Sequence, residues 1–244
     1  MNPEWILQLM TYAAPVLFAA LGGLIGEKSG LVDISLEGKM LCGALAAAAF
    51  AAATGNPLLG AAAAALAGAA VSLVTVLFAI VQRRDQVIVG TTVNFLALGL
   101  TGVLARAWTK TNPDALTAPA LPRLLGPLDP LTLVGFLLVP ALWWFFQRTS
   151  GGIIVRTAGE RPAAAAAAGI QINRLRSGAS LACGALCGLG GACISIGISN
   201  NFAEEMTAGR GFVALAVVVF GRWSPLGVLG ASLVFAAADM LQTR

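Results

Sequence analysis

Apolar runs long enough to cross a bilayer recur along almost the whole chain, and this constrains the fold more than any single motif. They cover roughly 5–26, 38–54, 57–81, 86–108, 131–147 and 177–198, followed by a shorter 211–221 and by 225–242. A span needs about 20 apolar residues, and fewer where neighbours shield a short or broken helix. The sequence is 58% hydrophobic and 11% charged, against about 25% charged in an ordinary soluble domain. A mean hydropathy of +0.85 leaves no stretch for a sizeable soluble domain. The expected fold is all-α: one polytopic integral membrane helical bundle over residues 1–244, with about 7–8 apolar segments and broken or re-entrant helices. The N-terminus has neither a basic leader nor a small-residue cleavage site, so the first run reads as a retained span.

Basic residues orient the spans. When the segments alternate across the membrane, Lys28, Lys39, Arg83, Arg84, Arg148, Arg156, Arg161, Arg174 and Arg176 fall on one side. Arg106, Lys110 and Arg123 fall on the other, in a Pro-rich loop with Asp114 and Asp129. Nine against three places the first set in the cytoplasm. The N-terminus then faces outward, and five crossings lead into an Arg-rich loop at about 148–176.

Composition excludes several functions. A net charge of +4, most of it in loops beside the membrane, is a poor basis for nucleic-acid binding. The chain has no histidine, so His-based catalysis and His metal sites are excluded. Cys183, Cys187 and Cys193 share one Gly-rich apolar segment far from Cys42 and match no zinc spacing. Cys183 and Cys187, four apart, read as small packing residues on one helix face. The 29 glycines suit membrane helices, where small residues let backbones approach closely. Gly22-Gly23-Leu24-Ile25-Gly26-Glu27-Lys28-Ser29 resembles a phosphate-binding loop superficially, but Glu27 stands where that loop needs Gly before Lys-Ser.

Two regions break the apolar pattern. Residues 27–39 carry five charges between apolar runs, and residues 200–211, including Glu204, Glu205 and Arg210, precede only eleven apolar residues. Irregular backbone at membrane depth survives only where protein or a water-filled cavity satisfies it. Transporters use such breaks to expose half-helix ends to substrate. The plainer reading makes both regions ordinary interfacial loops. A faint echo links them: Gly30-Leu31-Val32 leads to Gly38 and Gly43, and Gly211-Phe212-Val213 leads to Gly221 and Gly227.

Within the cytoplasmic loop, Thr157-Ala158-Gly159-Glu160-Arg161-Pro162 runs into six alanines and Gly169-Ile170. Pro162 suits a first helical turn, alanine has the highest helix propensity, and Gly169 fits the residue just past a helix end. Glu160 near the start complements the helix dipole. This helix is too small-sided to form its own core, so it reads either as a docking element for another protein or as a passive connector.

Four ordered stretches resemble the membrane-spanning permease subunits of bacterial ATP-binding cassette importers, in the branch of ribose and branched-chain amino acid permeases. They are Glu27 to Leu41, Gln86 to Thr101, Gly159-Glu160-Arg161-Pro162 with Ala164, Ala165 and Gly169, and Met206 to Gly227. The resemblance is greatest to permeases for nucleosides, purines or simple sugars. It implies a multi-pass protein of the bacterial inner (cell) membrane that moves a small polar solute inward. It also implies a coupling segment, Gly159, Glu160, Pro162, Ala164, Ala165 and Gly169, that docks on a separate ATPase subunit. ATP and magnesium would then belong to that partner and no cofactor to this chain. A second related permease and an extracytoplasmic binding protein complete the implied assembly. Asp33, Ser35, Lys39 and Arg161 depart from the family pattern, and relatives continue past residue 242, so the chain reads as a truncated, divergent or split member whose last helices are in question.

Polar residues near the spans are the candidates for the solute path. Asn94, inside an apolar span, lines the path or bonds a neighbouring helix. Glu37 pairs with Lys39 or Arg83 at the cytoplasmic mouth, for structure or for gating. Glu204, Glu205 and Arg210 at the other break either meet a delivery protein or satisfy a re-entrant turn. Asp239, deep in the final span, needs a partner on another helix. The competing class is a secondary transporter with inverted repeats, which would need more membrane-embedded carboxylates than the sequence offers.

Overall fold

The computed structural model describes residues 3–123 and 128–242. Its helices are α1 (Pro3–Lys28), α2 (Leu36–Thr54), α3 (Pro57–Thr75), α4 (Gln86–Thr111), α5 (Pro130–Arg148), α6 (Ser150–Glu160), α7 (Pro162–Ala167), α8 (Ile172–Ala192), α9 (Arg210–Phe220) and α10 (Pro225–Gln242). Wider π-helical turns extend α3 through Val76–Val81 and α8 through Cys193–Ile198.

Several helix starts are written locally. Asn56 and Asp129 each cap a helix whose first residue is proline, accepting from the Leu58 and Thr132 amides. Asp85 caps α4 through the Val87 and Ile88 amides. A capping oxygen satisfies an otherwise orphaned N–H, and proline has no N–H to orphan.

Among the described residues, six helices are long and apolar enough to cross a membrane: Glu4–Lys28, Leu36–Thr54, Pro57–Val81, Gln86–Thr111, Pro130–Arg148 and Ile172–Ile198. Two shorter apolar helices follow, Arg210–Phe220 and Pro225–Leu241. The expected spans thus reappear, the sixth starting five residues earlier than hydropathy marks it. Large apolar side chains cover the outer faces of α3 and α4, among them Leu66, Leu73, Phe95 and Val103. A bilayer would cover this surface.

The centre is built from α1, α2, α3 and α8. Here glycines, not large side chains, set the spacing. A Cβ added at Gly68 would lie 2.0 Å from the Gly184 carbonyl oxygen, and one at Gly188 would lie 2.0 Å from that of Ala64. These close crossings are the backbone contacts that small residues permit between membrane helices. Cys183 and Cys187 are fully buried in this core, as small packing residues would be.

The two irregular regions are not separate interfacial loops; they meet inside the protein, where Glu37 bonds Thr207, Gly209 and Gly211. After α1 the chain turns at Gly30 (φ +81°) and passes inward through buried Asp33 and Ser35 to α2. After α8, residues 200–202 bond the Pro-rich loop that follows α4: Thr117 bridges Asn201, and the Ala118 amide donates to the Asn200 carbonyl. The chain then descends through left-handed Glu205, Ala208 and Gly209 to α9. With eleven residues, α9 is about 16 Å long, half of a roughly 30 Å hydrocarbon core. Trp223, just beyond its end, donates to Glu27 near the end of α1. The start of α9 therefore lies near mid-depth, facing the start of α2.

Candidate functional site at the junction of two broken helices

Glu37 holds the junction together. Its Oε1 accepts from Thr207 Oγ1 at 2.6 Å and from the Gly209 amide at 2.9 Å, while its Oε2 accepts from the Gly211 amide at 2.6 Å. Gly209 and Gly211 lie in the cap and first turn of α9, whose N–H groups have no intrahelical acceptor and carry the positive end of the dipole. Glu37 is itself in the first turn of α2. One carboxylate therefore serves two helix N-termini. A Cβ at Gly211 would sit 2.4 Å from the Glu37 nitrogen, so only glycine allows the approach.

This corrects the expected pairing of Glu37 with Lys39 or Arg83. Lys39 instead bonds Asp33, and both side chains are essentially inaccessible to solvent. Asp33 also accepts from the Ser35 amide (3.0 Å) and hydroxyl. Charges buried this deeply persist only when paired and hydrogen-bonded. Here the pair pins the non-helical strip that delivers Glu37. Asn94, from α4, closes the same strip: its Oδ1 accepts from the Gly38 amide at 2.8 Å and its Nδ2 donates to the Ile34 carbonyl at 2.9 Å.

A cleft of about 330 Å³ opens beside this junction, lined by Glu37, Gly38, Leu41, Thr91, Asn94, Phe95, Leu98, Glu205, Thr207, Ala208, Gly209 and Phe212. Its apolar walls include exposed Phe95 and Phe212, and its polar atoms come from the junction. Mostly apolar clefts with a few fixed polar groups are the usual form of small-solute sites. Asn94, Glu37 and Glu205, all expected near the path, come together here. Among the described residues Glu205 forms no ion pair, and it is the exposed carboxylate of the cleft.

Glu204 and Arg210 do not join them. Glu204 makes a two-point pair with Arg106 of α4 at 2.8 and 3.0 Å, on the outer surface. Arg210 bonds Asp239 of α10 at 3.0 Å, which supplies the partner that Asp239 needs from within the chain.

The Arg-rich loop folds as two helices, not one. Arg161 breaks the chain between α6 and α7, so Gly159 and Glu160 end α6 and Pro162 starts α7. Gly159 packs on the end of α1, where a Cβ would lie 2.3 Å from the Lys28 carbonyl. Gly169 (φ +83°) stops α7: its amide donates to the Ala166 carbonyl and that of Ile170 to the Ala165 carbonyl. This paired closure is the glycine helix stop. Ala164 faces solvent, but Ala165 is 1% exposed and turned into the protein. The exposed face of α7 is therefore made by Pro162, Ala163, Ala164, Ala166 and Ala167, and Ala165, expected to dock, is turned away from it.

The sequence matches the permease component family of branched-chain amino acid transport systems over residues 5–243. The chain belongs to that family. It is 36% identical to the guanosine ABC transporter permease protein NupQ of Bacillus subtilis, over 95% of this chain and 79% of that protein. It is 32% identical to a putative glucose ABC transporter permease protein, TsgC13, of Haloferax volcanii, over 95% of this chain and 74% of the relative. It is 30% identical to the nucleoside ABC transporter permease protein NupC of Lactococcus lactis, over 94% and 79%. No solved structure matches. Family and helices together make this a multi-pass membrane permease component.

Sequence reasoning missed Thr207, Gly209, Gly211, Thr91 and the two phenylalanines of the permease cleft. Thr91, Asn94, Phe95 and Leu98 do share one face of α4 at helical spacing. That face could have been read outward from Asn94.

Proposed function

We propose that this permease component is the membrane-spanning subunit of an ATP-binding cassette importer for a nucleoside or another small polar solute such as a simple sugar. ATP is bound and hydrolysed by a separate subunit seated on the exposed face of α7 and its flanks. A second related permease completes the path, and an extracytoplasmic binding protein delivers the solute. The observation that carries the reading is the cleft where α2 and α9 begin. The half-length α9 meets the start of α2 there, as helix ends do at transporter solute sites. A carboxylate and an amide lie between aromatic walls, which suits a ring-shaped solute with hydrogen-bonding edges. The names of NupQ and NupC favour nucleosides, and that of TsgC13 keeps sugars in the same class.

The test is uptake in proteoliposomes holding the chain with its permease, ATPase and binding-protein partners, offered radiolabelled guanosine, glucose and leucine. ATP-dependent accumulation of guanosine or glucose is expected. Accumulation by the chain alone, driven by an ion gradient without ATPase, would overturn the reading in favour of a secondary transporter.

A further inference from the structure

A second cavity, of about 370 Å³, lies at the opposite end of α4 from the outer loop, and its polar wall is cationic. Arg83 and Arg84 reach it from the turn before α4, and Arg176 reaches it from the first turns of α8. Gln86 and Asn173 complete the polar wall, and Leu31 adds an apolar one. Among the described residues none of the three arginines has a carboxylate partner. The adjacent acid, Asp85, is already engaged by the Val87 and Ile88 amides at 2.8 and 3.1 Å. Arg176 is fixed by donating Nε–H to the Ser29 carbonyl at 3.1 Å, and Arg83 is held at φ +56°. The N-terminus of α8, which no side chain caps, also borders this region and adds a positive dipole end to three positive side chains.

What lies beside the cavity identifies its occupant. Leu77, Phe78 and Val81 at the end of the α3 extension, and Val87 and Ile88 at the start of α4, are all exposed apolar side chains. A free anion would have no use for that surface. A molecule with a phosphate head and hydrocarbon tails fits both parts at once. Basic pockets between membrane helices on the cytoplasmic side bind anionic headgroups in this way.

We infer that this cavity is a binding site for the phosphate headgroup of an anionic phospholipid, with the acyl chains lying along the exposed faces of α3 and α4. The inference needs only the membrane placement and stands apart from the solute reading. The site borders the segment that packs on α6: Leu31 lines it, and Gly30 touches Gly159. The headgroup would therefore sit one turn of chain from the proposed coupling region.

The test uses the full chain in phosphatidylcholine vesicles doped with spin-labelled phosphatidylglycerol or spin-labelled phosphatidylcholine. The fraction of each label immobilised by protein is measured. Wild type is expected to prefer phosphatidylglycerol, and the preference should fall about five-fold for each arginine removed in R83Q/R84Q. R123Q, on the outer loop, should match wild type. Should R83Q/R84Q fail to insert, R84Q alone decides by the same readout. An unchanged preference in an inserted variant overturns the assignment. Full displacement of the label by millimolar inorganic phosphate also overturns it, in favour of a free-anion site. So does loss of the wild-type preference once the ATPase subunit binds, which would make the cavity a protein-docking surface.

Discussion

The α3–α8 crossing and the α2–α9 junction are both deep inside the protein, but opposite kinds of force hold them. At the crossing, backbones touch through Gly68, Gly184 and Gly188, with the buried Ser72 side chain packed against Gly184. At the junction, Glu37, Asn94, Asp33 and Lys39 replace hydrogen bonds that broken helices would otherwise lack. Glycine contacts have a single closely packed arrangement, so they suit a scaffold. Hydrogen bonds to loop amides can be exchanged for water or solute hydroxyls, so they suit a place that opens. The difference divides the molecule into a part that fixes distances and a part that can respond.

The largest effect expected on this division is at the buried pair. Lys39→Met alone strands Asp33 and should destabilise the protein by about 3–5 kcal/mol. Asp33→Asn with Lys39→Met should recover most of that loss, because both charges leave together. Thermal unfolding in detergent reads both, and equal losses in the single and double variants would mean that the pair is not coupled. At the crossing, Gly188→Val forces a side chain against the Ala64 carbonyl. It should reduce stability by about 1–3 kcal/mol or more, with uptake falling only in proportion to folded protein.

Glu37→Gln sharpens the contrast. The amide keeps the shape but gives up a charge facing α9, a loss of about 1–2 kcal/mol. Uptake per folded molecule should fall further than stability does, unlike the Gly188 variant. Parallel losses would make the junction a second scaffold. The smallest effect is expected at Gly169→Ala, where a side chain in the left-handed region costs about 1–2 kcal/mol locally. Global unfolding should barely move, while proteolysis of the 161–170 segment should accelerate. An unchanged cleavage rate would contradict the helix stop.

Much of this architecture is legible in the sequence, for specific reasons. Hydropathy marks the spans because a bilayer demands unbroken apolar length, and charges mark the breaks because they cannot lie unpaired in lipid. What each charge pairs with is not legible. Glu37 meets Gly211 across 174 positions, and no local pattern encodes that distance. Asp33 and Lys39 are neighbours because the chain turns at Ile34 and Ser35 before α2 begins. The inward turn of Ala165 was hidden for a different reason: in a run of alanines every helix face looks alike, so the sequence carries no periodic signal. Gly169 was readable because a helix stop is a local event.

The central claim is that the cleft at the α2–α9 junction carries the solute. Thr91 lines it and the other cysteines are buried apart from half-buried Cys42, so Thr91→Cys in a Cys42→Ala background gives one reporter. The decisive measurement is its rate of modification by a small cationic thiol reagent in the reconstituted complex, with and without guanosine or glucose. The account predicts that modification blocks uptake and that the transported solute slows it several-fold. Rapid modification that leaves uptake intact, at a rate indifferent to solute, would contradict it.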